Sequence, residues 1–301
     1  MRRLAPAFFV VLWSTGFVVA RYATDDAGAF TFLVVRTLVA AAVLAVVSRA
    51  VREPALGGAA ARTQALVGVG IHAMYLGGVF YAIEHGMPSG LSALIAALHP
   101  VLTAVLAWIV LREALRPVRS AGVVLGFLGV VFVVIERGGA GASVPGNALA
   151  GMAVAVLGMS AGTLLQRRHG GEVPLLRGTA VQYLATAAVL AVPAAAGEGW
   201  RFGSSASTWW ALAWAVGVLS IAAILTMLWL LRERAAAQVS SLFFLTPALS
   251  TVEAAVLFGE DVGALTVVGL VVASAGVWLA TASRFAPSAP AQSGPVSTPP
   301  R

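Results

Sequence analysis

The 301-residue chain contains no cysteine and no lysine. The first absence excludes disulfide scaffolds, zinc ribbons, iron–sulfur ligation and thiol catalysis together. The second leaves arginine as the whole basic complement, 19 residues against 12 acids. Charge of either sign is scarce: 10% of residues are Asp, Glu, Lys or Arg, against about 25% in a soluble domain. No basic block or stripe interleaved with aromatics occurs, so the net charge of +7 does not read as nucleic-acid binding. No Walker motif occurs, which excludes ATP-driven work within this chain. No His/Asp/Glu group has metal-ligand spacing, so neither a metal nor a cofactor is expected.

What is abundant is apolar sequence, 59% of residues with a mean hydropathy of +0.92. A helical span needs about 20 such residues. Runs of that kind lie at 4–22, 29–48, 64–83, 89–111, 118–135, 146–166, 176–195, 207–231, 236–258 and 263–283. The chain therefore reads as an all-α polytopic membrane protein of about ten helices. The longest connection is expected around Arg49 to Thr63. A membrane β-barrel would alternate polar and apolar residues, whereas Val123 to Ile135 is apolar on every side. Residues 286–301, with five prolines and no apolar period, read as a disordered tail.

Arginine sets the orientation. With the N-terminus inside, cytoplasmic segments hold fifteen arginines and outer loops hold three, Arg21, Arg137 and Arg201. This is the positive-inside bias. It places both termini in the cytoplasm and predicts a multi-pass protein of the inner (plasma) membrane.

The sequence also repeats itself. A shift of 147 brings Pro100 onto Pro247, Glu113 onto Glu260, Gly122 onto Gly269 and Gly129 onto Gly276. A shift of 146 brings Ala41–Val46 onto Ala187–Val192. Five helices per half is an odd number, so the second half enters the membrane inverted. Inverted repeats characterise secondary transporters, with a site near mid-membrane between the halves.

Leu12-Trp13-Ser14-Thr15-Gly16-Phe17 through Arg21, and Phe32-Leu33-Val34-Val35-Arg36 before an alanine-rich run, resemble the first two helices of EamA-type members of the drug/metabolite transporter superfamily. Each half also carries the family's Pro, Glu and Gly-x6-Gly pattern, at Pro100, Glu113, Gly122 and Gly129 and at Pro247, Glu260, Gly269 and Gly276. The resemblance implies two EamA domains, here 4–135 and 146–283, and export or exchange of a small metabolite, an amino acid or a drug-like compound.

Polar side chains inside spans mark the candidate path, since hydrocarbon excludes them from the lipid face. Ser92, His99 and Thr103 share one face of the fourth span; Thr246, Ser250 and Glu253 share one face of the ninth. The two stripes are expected to face each other. His72 and Tyr75 share a face of the third span, and Trp13 with Ser14 offers a ring and a hydroxyl on the first. Pro100 and Pro247 each remove a backbone hydrogen bond mid-span and are candidate hinges. Arg36 and Glu253 are the plainest intramembrane charges and opposite in sign, so pairing between them is expected, with Glu253 as a candidate carrier of a coupling proton. The expected function is alternating-access export of a small molecule from the bilayer-embedded bundle, with a homodimer left open. An intramembrane lipid-modifying enzyme or a passive facilitator is the alternative. The enzyme reading is weakened because Asp25-Asp26 and Glu260-Asp261 are adjacent rather than one helical turn apart.

Overall fold

The computed structural model describes residues 5–112, 117–139, 144–169, 173–223, 226 and 245–282. The tail at 286–301, Glu113, and parts of the eighth and ninth predicted spans lie outside the described residues. Within them the chain is helical, with no strand. The helices are α1 (Ala5–Thr24), α2 (Ala29–Ala50) and α3 (Gly58–Glu84), then α4 in two pieces, α4a (Ser89–Ala96) and α4b (His99–Leu111). There follow α5 (Pro117–Gly139), α6 (Gly146–His169), α7 (Leu175–Glu198), α8 (Ala206–Ala222), α9 (described over Thr246–Phe258) and α10 (Ala264–Ala282). Five stretches, including α2, α3 and α7, are long and apolar enough to cross a bilayer, and shorter apolar helices accompany them. Large apolar side chains face outward, Val256 at 77% exposure and Val192 at 69% among them, as lipid-facing positions require.

The third helix differs from expectation. It begins at Gly58 rather than 64, so the link after α2 shrinks to residues 51–57. Hydropathy stops at Arg62, Thr63 and Gln64, but these residues favour helix as well as loop. Gln64 is buried and bonds to Gln166 and Gln182.

Packing follows the repeat. The most extensive contacts pair α5 with α10, α2 with α7, and α3 with α6; α4a packs on α9. If each helix matches the one five places later, the pairs α2/α7, α4/α9 and α5/α10 straddle the pseudo-twofold axis. Small residues allow the closest pair. A Cβ on Gly129 would meet the amide nitrogen of Ala273 and the carbonyl of Gly269 at 2.5 Å, so α5 and α10 touch backbone to backbone. One more feature comes in matched copies. α3 widens into a π-helical stretch at Val69–Met74, and α8 does the same at Ala215–Ala222, which a shift of 146 superimposes.

Several helix starts are closed from outside their own helix. The first amides of a helix have no internal partner, and an unpaired amide in a membrane is expensive. α2 has no side-chain cap of its own. The Glu198 carboxylate accepts from the Phe30 and Thr31 amides at 2.8 and 2.7 Å and from Thr31 Oγ1 at 2.7 Å. In the reverse direction, Glu53 at the end of α2 accepts from the Leu176 and Arg177 amides of α7 at 3.2 and 2.9 Å. Glu136 closes α10 through Leu265 and Thr266. Glu260 closes α4a through Ser89, at 2.8 Å, and Gly90. Gly259, at φ +66°, turns the chain to deliver Glu260, and its repeat mate Arg112 has φ +55°. Glu260, the second copy of the motif glutamate, is thus a cap that ties one half to the other. Asp26 accepts from the Ser205 amide at the start of α8 at 3.0 Å; that bond holds its carboxyl below the usual aspartate range.

Candidate functional site

The break in α4 follows from Pro100. Lacking an N–H, it leaves the carbonyl of Ala96 without its helical donor. His99 Nδ1 lies 3.1 Å from that carbonyl and donates to it, which places the neutral ring's remaining lone pair on Nε2. The His99 carbonyl in turn accepts from Ser160 of α6 at 2.9 Å and from Thr103 at 2.7 Å. Pro247 likewise lies at the second position of described α9.

The two proline segments meet at one cavity of about 30 Å³, lined by Trp13, Phe17, Tyr75, His99, Pro100, Thr246 and Pro247 together with alanines of α4. Both prolines belong to the same repeat-related pair, as do His99 and Thr246. The volume holds about one water molecule, against the roughly 300 Å³ or more of a ligand pocket. The site is contracted. Thr246 Oγ1 is buried there with no hydrogen-bond partner.

The structure brings Trp13, Tyr75, His99, Thr246, Pro100 and Pro247 together, and leaves Ser14, Arg36, His72, Thr103, Ser250 and Glu253 outside the cavity lining. The two polar stripes meet only at His99 and Thr246, not along their length as expected. Ser92 and Thr103 donate to carbonyls four residues back in their own helix, Pro88 and His99, the common fate of hydroxyls in helices. The α9 stripe faces α1 instead: Ser250 Oγ donates to the Ser14 carbonyl at 3.1 Å, and Ser14 Oγ lies 2.6 Å from Glu253 Oε1. Direct pairing of Arg36 with Glu253 is also absent. Each has a separate neighbour, Ser220 Oγ for Arg36 at 3.4 Å and Ser14 for Glu253. Phe17 in the cavity and Ser160 behind it were not singled out by sequence. The polar groups Ser220 and Tyr183 beside Arg36 lie on helices of the other half, beyond the reach of local spacing.

The sequence model of the EamA-like transporter family matches residues 4–135 and again 146–282. The chain belongs to this family. A solved structure, described only as "Crystal structure of protein", is similar at 22% identity over 93% of this chain and 97% of that one, with a TM-score of 0.61. That likeness shows a shared fold. No curated protein matches the sequence. The EamA family is one of transporters, and the chain is a multi-pass membrane protein of the drug/metabolite transporter type.

Proposed function

We propose that this EamA protein exports a small metabolite across the cell (inner) membrane by alternating access, with the substrate held between the Pro100 and Pro247 segments. One observation carries the reading: repeat-related residues from both halves, Pro100 with Pro247 and His99 with Thr246, line one contracted cavity beside a broken helix. A discontinuous helix at the repeat interface is where transporters of this architecture hold their cargo. Trp13, Phe17 and Tyr75 offer apolar area, and His99 Nε2 and Thr246 Oγ1 offer polar contacts. Both termini lie in the cytoplasm, following the arginine bias.

Glu253 carries the coupling proton in this reading. Ser14 Oγ sits 2.9 Å from the Val11 carbonyl and 2.6 Å from Glu253 Oε1, and a hydroxyl has one proton to give. When Ser14 donates to Val11, a protonated Glu253 fills the short contact; when Ser14 donates to Glu253, the ionised carboxylate is accommodated. The two protonation states need only a hydroxyl rotation to exchange. Metabolite profiling of overexpressing against deletion strains identifies the cargo, expected to rise outside the overexpressing cells. In vesicles, Glu253→Gln is expected to retain exchange of that cargo and lose proton-driven accumulation. Unchanged accumulation and pH dependence in this variant contradict the coupling role.

A further inference from the structure

Arg36 is a buried cation that no described residue neutralises. It is 6% exposed in the middle of α2, and no carboxylate among the described residues pairs with it. Its bonds go to one hydroxyl, Ser220 Oγ, reached by Nε and Nη2 at 3.4 Å each. That exceeds the usual 2.7–3.2 Å of an N–H···O bond. The other groups facing it are Tyr183 of α7 and His72 of α3. An uncompensated charge in such a bundle is costly and marks function rather than support.

Its repeat mate shows what a structural solution looks like. A shift of 146 places Gln182 opposite Arg36, and Gln182 is fully engaged: its oxygen lies 3.0 Å from His72 Nε2 and its amide donates to Gln64 at 2.6 Å. Gln64 passes the chain on to Gln166 at 3.2 Å. One half closes its polar position with neutral amides; the other leaves a guanidinium fork with donors to spare. Two of the three described π-helical stretches border the cation, one carrying His72 and the other Ser220, and such local widenings gather at functional sites. The cluster also adjoins the cavity, because Tyr75 lines it and His72, one turn along α3, lies 4.7 Å from the Tyr183 ring.

We propose that Arg36, with Ser220 and Tyr183 beside it, binds the carboxylate of a monoanionic or zwitterionic substrate, supplying the counter-charge that no described residue provides. The inference rests on the transporter reading above. A single cation sets the charge class: a carboxylate neutralises it, whereas a dianionic phosphate leaves an excess negative charge in the bundle. The planar fork also matches a carboxylate in bidentate fashion.

Thermal melting of the purified full chain in nanodiscs tests this without requiring transport. The probes are acetate, phenylacetate and phenylalanine, each set against its amide or, for phenylalanine, phenylalaninamide, with inorganic phosphate as a separate arm. At least one carboxylate is expected to raise the wild-type melting temperature by about 3 °C or more while its amide does not. Arg36→Gln, which copies the mate position, is expected to melt at or above the wild-type temperature and to lose that response, a drop of about tenfold or more in affinity. A lower melting temperature for Arg36→Gln overturns the proposal by making Arg36 a structural tie. Stabilisation by phosphate alone, or by no carboxylate, overturns it as well. Failure of the transporter reading shows separately, as no cargo movement by the wild-type protein in vesicles.

Discussion

The two halves of the molecule share a backbone and differ in what they hang on it. Both have a proline-headed helix at the axis, a left-handed residue before the motif glutamate, and a widened π-helical stretch in the third helix of the half. Yet His99 stands where the second half has Thr246, Arg36 where it has Gln182, and Leu106 where it has Glu253. Features that hold the helices together, the capping glutamates included, are duplicated; the charges and the titratable ring at His99, Arg36 and Glu253 inside the spans occur once. Symmetry in this protein is a property of the scaffold, and its loss marks the positions that carry chemistry.

Substitutions at matched positions break the comparison, beginning with the reciprocal caps. Glu198 receives three hydrogen bonds at the start of α2, while Glu53 receives two longer ones at the start of α7. Glu198→Ala is expected to lower stability by about 2–3 kcal/mol and Glu53→Ala by about half that, read from denaturation of the purified protein. Equal losses would mean that the caps contribute by charge alone. The axis pair is next. His99→Ala frees the Ala96 carbonyl and is expected to cost about 1–2 kcal/mol together with most of the transport rate. Thr246→Ala removes a hydroxyl that has no partner and is expected to change stability by less than about 0.5 kcal/mol. A reversed order would contradict the assignment of His99 as the stand-in donor.

The smallest effect concerns pH. The Ser205 amide lowers the Asp26 carboxyl below its ordinary value, so ionised Asp26 stabilises the fold above the unfolded pKa. That contribution falls away as pH drops through the lowered folded value. Asp26→Asn is expected to lower stability slightly at neutral pH, match wild type at the acid end and so flatten the profile between, a small effect because the site is open to solvent. A large loss at neutral pH would show that Asp26 does more than cap α8.

Much of the scaffold was legible in the sequence, because a bilayer imposes length and apolarity on each helix and the repeat supplies a second reading of the same pattern. Pro100 announced the break in α4 on its own, since no other residue lacks the amide. Spacing also placed Ser92 and Thr103 on one face, but it could not show that their hydroxyls turn back onto their own helix. The partner of Glu253 was missed for a related reason. A face is local, whereas what lies opposite depends on how α1 packs against α9. The long link expected after Arg49 failed because Gln64 is polar and buried, satisfied by Gln166 and Gln182 from other helices. The caps were hidden likewise: Glu198 and the Thr31 hydroxyl it accepts from are 167 residues apart.

In the proposed cycle, α4 and α9 part at the axis to let a substrate enter and close to carry it through. A Cβ on Gly90 would lie 3.4 Å from that of Thr251, near disulfide range, and the chain has no cysteine to interfere. Transport of the profiled cargo by a Gly90→Cys/Thr251→Cys double variant is the direct measurement. Oxidation is expected to stop transport and reduction to restore it, with each single variant unaffected by either treatment. Full transport by the oxidised, cross-linked protein would contradict the claim.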